Sequence, residues 1–347
     1  MPTLPLLPTT VVGSYPQPNW LVDRQKQLDR LPPRIRTRDL WRVAEPWLAE
    51  AQDDATLLTI RAMEDAGVDI ISDGETRRES YSNVFANALE GIDEQPAEAL
   101  SRRGLPDLVP HVVGPLRRRG PVQVHEVAFL RAHTGRAIKV TVPGPFTLSM
   151  QAVNSYYPDA RTAALAYAEV VNAEVKDLFA AGADVVQLDE PYTQARVPQA
   201  EAFAVEAVNR ALEGVQGTTA LHVCFGYGAK MQDKSATTAY AFLEPFKDSA
   251  VTQLSIEAAQ PPLDLAVLER LGGKAVMLGV LDLGTHQVET PEQVAARIRA
   301  ALQHIAADRL TIAPDCGMKY LPRAVAFAKL RAMVDGARIV RRELGVG

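Results

Sequence analysis

The sequence has few of the residues that build disulfide scaffolds, membrane spans or nucleic-acid surfaces. Its 347 residues include only two cysteines, which is too few for a disulfide framework and indicates reduced thiols in the cytoplasm. No apolar run reaches the roughly 18 residues that a membrane-spanning helix needs, and we expect no signal peptide at the N-terminus. The formal net charge of -5 favours neither nucleic acid nor an anionic membrane as a partner.

Eight short apolar runs are present, separated by longer stretches with helical periodicity. Runs rich in β-branched residues are typical of parallel strands that are buried on both faces. Eight such strand–helix units predict a (β/α)8 barrel, or TIM barrel, as a single domain over residues 1–347. The predicted strands are Thr9–Gly13, Val68–Ser72, Ala137–Val142, Val185–Leu188, Ala220–Cys224, Val251–Ile256, Ala275–Val280 and Leu310–Ala313.

Two segments exceed what such a barrel needs. One insertion, residues 19–45, follows the first predicted strand, and the other, residues 91–135, precedes the third and has the pattern of a β-hairpin in part. In barrels of this kind the chemistry sits at the carboxyl ends of the strands. Polar, thiol and glycine residues collect at those ends here, which is not typical of a purely structural rim. They are Gly13-Ser14, Asp73-Gly74-Glu75, Asp189-Glu190, His222-Val223-Cys224, Glu257, Asp282 and Asp315-Cys316-Gly317.

The two cysteines and a histidine stand at matching strand ends. His222 and Cys224 are two residues apart, so both side chains point to the same side of a strand. Cys316 follows the eighth predicted strand, and Glu257 follows the sixth. A buried cysteine alone is usually an apolar filler, and a strand histidine is usually a satisfied core group. Together, thiolates, imidazole and carboxylate suit Zn²⁺, so we predict a catalytic zinc centre.

These motifs resemble the catalytic C-terminal barrel of the cobalamin-independent methionine synthase family, including its single-barrel, archaeal-type members. The resemblance spans nearly the whole chain and keeps the family's order of motifs. It implies a zinc ion held by His222, Cys224, Glu257 and Cys316. The matching stretches are TTVVGSYPQP (9–18), DGE (73–75), PGP (143–145), QLDEP (187–191), HVC (222–224), SIEAAQ (255–260), LGVLD (278–282) and APDCG (313–317).

The resemblance also implies a substrate. In the family, zinc activates the thiol of homocysteine, which then takes a methyl group from a donor to form methionine. Glu75 and Asp189 are expected to bind the substrate ammonium, and the backbone around Gly13 with the Ser14 hydroxyl is expected to bind its carboxylate. We predict Asp189 as a catalytic residue too.

Three departures from the two-barrel members of the family concern the methyl donor and the proton. This sequence has one barrel only. The tryptophan that stacks on the pterin in those members is replaced here by a residue near Gln151, and the nearest candidate for their proton-transfer histidine is His286. The donor is therefore either methyltetrahydrofolate or methylcobalamin, the latter with a corrinoid protein as a possible partner.

Two other functions fit the same residues. An alkyltransferase that joins another thiol, such as coenzyme M, to an epoxide would keep the barrel and the zinc. Coenzyme M carries a sulfonate and no ammonium, so the carboxylates of Glu75 and Asp189 favour homocysteine. A non-catalytic zinc-binding or thiol-binding protein would instead have a closed four-ligand site.

Overall fold

The computed structural model describes residues 3–30, 32–100, 106–227, 240 and 242–346. The helices are Arg24–Asp29 (α1), Leu48–Ala66 (α2), Asn83–Ala86 (α3), Val124–His133 (α4), Pro145–Met150 (α5), Ala160–Ala180 (α6), Val197–Ala211 (α7), Pro291–Ala301 (α8) and Arg323–Glu343 (α9). The strands are Ile70–Ile71 (β1), Leu89–Ile92 (β2), Ala97–Leu100 (β3), Pro106–Val109 (β4), His111–Arg118 (β5), Ala137–Pro143 (β6), Val153–Asn154 (β7), Val185–Asp189 (β8), Thr218–Val223 (β9), Gln253–Ile256 (β10), Ala275–Gly279 (β11) and Leu310–Ala313 (β12).

Seven of these strands form one parallel sheet in the order β1-β6-β8-β9-β10-β11-β12. The two edges of the sheet are joined by the segment that was predicted as the first strand. Thr9 pairs with Ile312 of β12, and Thr10 pairs with Ile70 of β1, both in the parallel direction. The sheet therefore closes, and the predicted (β/α)8 barrel is confirmed.

The first strand is shorter than predicted. Only Thr9 and Thr10 pair with neighbouring strands, whereas Val11–Gly13 lies outside the ladder. The reason is local, because the carbonyl of Val12 accepts a hydrogen bond from the Gln187 side chain at 2.9 Å instead of from a strand. This frees the chain to turn over the barrel mouth at Gly13 and Ser14.

Alternation along the strands separates the inside of the barrel from the outside. Side chains at one set of alternate strand positions, such as Val186, Leu188, Leu221 and Val223, belong to the large core under the helices. Side chains at the other alternate positions face the barrel interior and include a small separate cluster: Val12, Val185, Ala220, Met277 and Ala313. Since side chains at i and i+2 share a face, Asp189, His222 and Ser255 also lie on this inner side.

The two predicted insertions are present. The first holds α1 and a short 3₁₀ turn at Arg38–Leu40. The second contains the antiparallel hairpin β3–β4, together with an antiparallel pairing of β2 with β5. Within the described residues, no helix combines the length and the apolarity that crossing a membrane requires.

The helix that precedes the last barrel strand begins with a capping box. Thr290 is the N-cap of α8, and its hydroxyl accepts a hydrogen bond from the backbone N–H of Gln293 at 3.2 Å. The Gln293 side chain accepts in return from the backbone N–H of Thr290 at 2.8 Å. This reciprocal capping box satisfies two N–H groups that a helix start otherwise leaves without partners.

Candidate metal centre and substrate pocket

Strand register brings the two cysteines and His222 together. His222 lies in β9 beside Asp189 of β8 and Ser255 of β10, and Cys224 follows two residues later. Cys316 lies three residues beyond the end of β12. The potential ligand atoms of His222, Cys224 and Cys316 all lie within 4.8 Å of one another, and all three residues are buried. This set has the soft donors that favour zinc over magnesium or calcium.

The environment of His222 fits a metal ligand. Its Nδ1 lies 2.9 Å from the Ser255 hydroxyl, whereas its Nε2 is buried without a hydrogen-bond partner among the described residues. A buried ring nitrogen without a partner is costly. Coordination of a metal would remove that cost, and a metal-bound histidine usually has its other nitrogen hydrogen-bonded as here.

Electrostatics in the cluster favour a thiolate. The pKa of Cys224 is held well below its usual range, first by a hydrogen bond from Cys316 and, against the effect of burial, by the nearby His222. Burial lowers the pKa of His222, but the charges of Cys224, Asp189 and Glu257 outweigh it and raise that pKa. The cluster thus favours a negatively charged sulfur, which is the form in which a cysteine binds a divalent cation.

Glu257 is adjacent to this cluster. It follows β10 and is fully buried, and its Oε1 accepts a hydrogen bond from the backbone N–H of Phe225 at 3.1 Å. Its carboxylate is not part of the group whose ligand atoms lie within 4.8 Å. Its predicted place among the metal ligands therefore stays a prediction.

Tyr240 holds the two ligand-bearing strand ends together. Its hydroxyl donates to the carbonyl of Val223 at 3.0 Å and accepts from the backbone N–H of Glu257 at 2.5 Å. Val223 lies between His222 and Cys224, so one phenol connects the segments that carry three of the predicted ligands. The sequence analysis missed this residue, since it lies outside any strand end.

Asp315 has a related role beside Cys316. Its carboxylate accepts hydrogen bonds from the backbone N–H groups of Ala258, Ala259 and Gln260, at 2.7 to 3.3 Å. The chain that follows Glu257 is therefore tied to the residue that precedes Cys316. Carboxylates that accept several backbone N–H groups fix loop conformation efficiently.

Gly13, Ser14 and Glu75 lie close together at the barrel mouth. A Cβ atom at Gly13 would lie 2.6 Å from Oε1 of Glu75, so only glycine permits this approach. Glu75 has a left-handed backbone, with φ of 53°, a strained conformation for this residue type that often marks functional sites. Its Oε2 and the Ser14 hydroxyl are both buried without a hydrogen-bond partner in the described part of the chain.

Ser14 is also next to the candidate metal cluster. A Cβ atom at Gly317, the residue after Cys316, would lie 2.3 Å from the Ser14 hydroxyl. The backbone N–H of Met318 donates to the Ser14 carbonyl at 2.7 Å. The predicted carboxylate-binding segment and the metal-binding cysteine therefore belong to one contiguous pocket.

Asp189 ends β8 inside this pocket. Burial raises the pKa of its carboxyl to about 7, and the charge of Glu75 adds to that effect. Its Oδ1 accepts a hydrogen bond from Gln187 at 2.7 Å, and the carbonyl oxygen of Gln187 accepts from the buried Lys139 ammonium at 2.7 Å. Two neighbouring buried carboxyl groups form a site for a cation.

His286 does not lie with the other predicted site residues in the barrel interior. It is exposed, in the loop between β11 and α8. Its predicted part in proton transfer stays a prediction. Gln151, which lies near the place expected for the family's stacking tryptophan, is buried and accepts a hydrogen bond from Ser82 at 2.8 Å, and its amide also contacts the hydroxyl of Tyr81.

Fold and site together define a barrel enzyme with a candidate metal centre at the carboxyl ends of its strands. The family model described as the catalytic domain of cobalamin-independent synthase matches residues 7–339. The chain belongs to the cobalamin-independent methionine synthase family, as its catalytic domain.

Relatives and solved structures agree with this assignment. The chain is 36% identical to a methionine synthase of Thermococcus kodakarensis, over 98% of this chain and 95% of the relative. It is 33% identical to one of Sulfurisphaera tokodaii, over 99% and 95%. A B12-independent methionine synthase from Shewanella sp. W3-18-1, solved in complex with selenomethionine, superposes with a TM-score of 0.88 at 33% identity, covering 98% of this chain and 99% of that one.

Proposed function

We propose that this chain, acting as one barrel over residues 1–347, transfers a methyl group to the thiol sulfur of homocysteine and thereby forms methionine. The observation that carries the proposal is the contiguity of two half-sites in one pocket. A cluster suited to a soft metal adjoins a pair of buried carboxyl groups suited to an ammonium. Homocysteine carries a thiol and an ammonium on one small molecule.

The proposed metal is Zn²⁺, with His222, Cys224 and Cys316 as ligands and Glu257 as a fourth. When bound, zinc supplies a Lewis acid that lowers the pKa of a substrate thiol to below neutral pH. Glu257 is the hardest of these donors, and its Oε1 already has a second partner in the N–H of Phe225. We therefore assign to Glu257 the ligand position that yields to the substrate.

The remaining residues bind and orient the amino acid. The Asp189 and Glu75 carboxylates receive the ammonium, and binding of that cation favours their charged forms. The Ser14 hydroxyl, which has no partner among the described residues, donates to the substrate carboxylate. The Shewanella relative was solved with selenomethionine, an amino acid of the same shape as the proposed product, which supports this assignment.

Turnover with defined donors tests the proposal. The zinc-loaded protein is mixed with homocysteine and either methyltetrahydrofolate, its polyglutamate or methylcobalamin, and methionine is measured. We expect methionine from at least one donor. A parallel reaction with coenzyme M and an epoxide tests the alternative alkyltransferase.

Zinc-edge X-ray absorption separates catalysis from passive zinc binding. We expect homocysteine to add one sulfur ligand to the zinc and to displace one oxygen ligand. An unchanged spectrum at saturating homocysteine would overturn the methyltransferase assignment and favour a closed, non-catalytic zinc site.

A further inference from the structure

One cationic side chain at the barrel mouth lies beside two aromatic rings and has a guanidinium nitrogen without a hydrogen-bond partner among the described residues. The Arg34 guanidinium lies 5.4 Å from the ring centre of Tyr81 and 5.8 Å from that of Tyr192. Its Nη1 atom is buried without a hydrogen-bond partner among the described residues. A buried guanidinium nitrogen without an acceptor is costly to keep, so this arrangement indicates that an acceptor arrives from outside.

The backbone around Arg34 is held in place by three side chains. Ser80 donates to the carbonyl of Pro33, Asn83 to that of Ile35 and Asn87 to that of Arg34 itself. The inserted segment 33–35 is thereby attached to the chain that follows Glu75. These hydrogen bonds fix the backbone that carries Arg34. The guanidinium is therefore pre-organised for a ligand.

A continuous set of rings connects Arg34 to the candidate metal centre. Tyr81 lies 6.5 Å from Tyr227, ring centre to ring centre, and Tyr227 lies 4.8 Å from Tyr320. A Cβ atom at Gly317, next to Cys316, would lie 3.0 Å from the Tyr227 ring. Arg34 is therefore about two aromatic side chains away from the sulfur that would accept the methyl group.

The charged groups around Arg34 do not neutralise its guanidinium. Asp107, on the β3–β4 hairpin, acts on Arg34 electrostatically, but it forms no ion pair with Arg34 among the contacts of the described residues. The neighbouring Arg36 differs, because its guanidinium is paired with the buried Glu79 carboxylate at 3.2 Å. Of these two arginines of the insertion, Arg34 is the one that can take an external anion.

We propose that Arg34 and the ring set of Tyr81, Tyr192, Tyr227 and Tyr320 form the subsite for an anionic group of the methyl donor. The inference rests on the proposed function, because it assigns the second substrate of the same pocket. The anion is a carboxylate or a phosphate: a folate carries the first in its glutamate tail, and a cobalamin carries the second in its nucleotide loop. The rings exclude water from the guanidinium and strengthen its hydrogen bonds to such an anion.

Direct binding of donors to the zinc-loaded protein tests the subsite without turnover. Titration calorimetry compares the wild type with Arg34→Gln and with Arg30→Gln, a control that removes the same charge from an exposed arginine of the same insertion, paired with Asp39. We expect Arg34→Gln to weaken one methyl donor about 10- to 100-fold, as loss of a charge-assisted hydrogen bond does. Zinc content and homocysteine affinity should be unchanged, and Arg30→Gln should behave as wild type.

Two truncated donors identify the source of the anion. Methyltetrahydropterin lacks the glutamate tail, and methylcobinamide lacks the phosphate-bearing nucleotide loop. Arg34→Gln should leave the affinity for the truncated form unchanged while it weakens the intact donor that the subsite serves. Equal weakening of the intact and truncated forms, no weakening of either donor, or no donor binding to the wild type would overturn the subsite.

These outcomes are separable from failure of the proposed function. If Arg34→Gln weakens a donor that binds the wild type but no methionine forms, the subsite stands and the proposed reaction fails. If methionine forms and Arg34→Gln has the donor KM of the wild type, the reaction stands and the subsite fails.

Discussion

The Ser255 hydroxyl lies 2.9 Å from Nδ1 of His222 and so determines which ring nitrogen is left for a metal. Parallel pairing of β9 with β10 places the two residues directly beside each other. Neither Ser255 nor its neighbours in β10 belong to the His–Cys–Cys group, yet the serine orients one of its three members. Loss of a partner of this kind typically weakens metal binding or activity about 10- to 100-fold.

Removal of that hydroxyl should weaken metal binding. We expect Ser255→Ala to lower zinc affinity about 10- to 100-fold, because the imidazole loses its orientation and its second partner. Competition with a chromophoric chelator measures the change. Ser249→Ala is the matched control, since the buried Ser249 hydroxyl donates to the carbonyl of Phe246, away from the site. Equal zinc affinity in the two variants would contradict the role given to Ser255.

Tyr240 should support zinc binding through the backbone. Tyr240→Phe removes the hydrogen bonds to Val223 and Glu257, and we expect a loss of about 1–2 kcal/mol in the free energy of unfolding, together with weaker zinc binding. Urea unfolding and chelator competition measure the two effects.

Tyr167→Phe provides the control for that substitution. The Tyr167 hydroxyl is buried without a hydrogen-bond partner among the described residues, so its removal should be neutral or slightly stabilising. Equal losses of stability in the two phenylalanine variants would show that the Tyr240 hydroxyl has no special role.

Much of the fold and the site was predictable because both follow from the alternation of side chains between the two faces of a strand. Two-residue spacing placed His222 and Cys224 on one side, and barrel closure brought Cys316 near them. Alternation within a strand does not specify the register between strands, that is, which residues of neighbouring strands lie side by side. Ser255 pairs with His222 only through the β9–β10 register, so a serine two residues before Glu257 gave no signal.

The roles of other residues could not be predicted from the sequence because they depend on tertiary contacts. Tyr240 reaches the site from outside the strands, and its contacts depend on the tertiary path of the chain. Lys139 was visible as a charge inside the apolar run Ala137–Val142, and that irregularity is a usable signal of a polar barrel interior. The first strand was predicted too long because apolarity alone does not reveal that a side chain, Gln187, replaces the ladder at Val12.

Asp189 should determine affinity for the substrate ammonium. We expect Asp189→Asn to keep its zinc and to raise the Kd of homocysteine at least about 10-fold, as loss of a buried charge pair does. Calorimetry with 4-mercaptobutyrate, which lacks only the ammonium, is the control. The variant should bind this analogue as the wild type does, and equal weakening of both ligands would point to general damage to the pocket.

Lys139 should make stability depend on pH. Burial lowers the pKa of its ammonium from an ordinary 10.5 to about 7, although the charges of Asp189 and Glu75 oppose the change. Between these two values the unfolded chain binds a proton that the folded chain does not. The stability contribution of this lysine therefore rises with pH, by at most about 1.4 kcal/mol per pH unit, and its cost is largest near and below pH 7.

Replacement by an uncharged residue of similar length tests this directly. Lys139→Met removes the titrating group, so its free energy of unfolding relative to wild type should fall steadily from pH 7 to about pH 10. The variant also leaves the Gln187 carbonyl oxygen without its partner, which should weaken homocysteine binding through Asp189. Met277→Leu, an uncharged change to a side chain that contacts Lys139, should shift stability equally at every pH. Urea unfolding across this range provides the measurement, and parallel curves for wild type and Lys139→Met would show that the lysine does not titrate there.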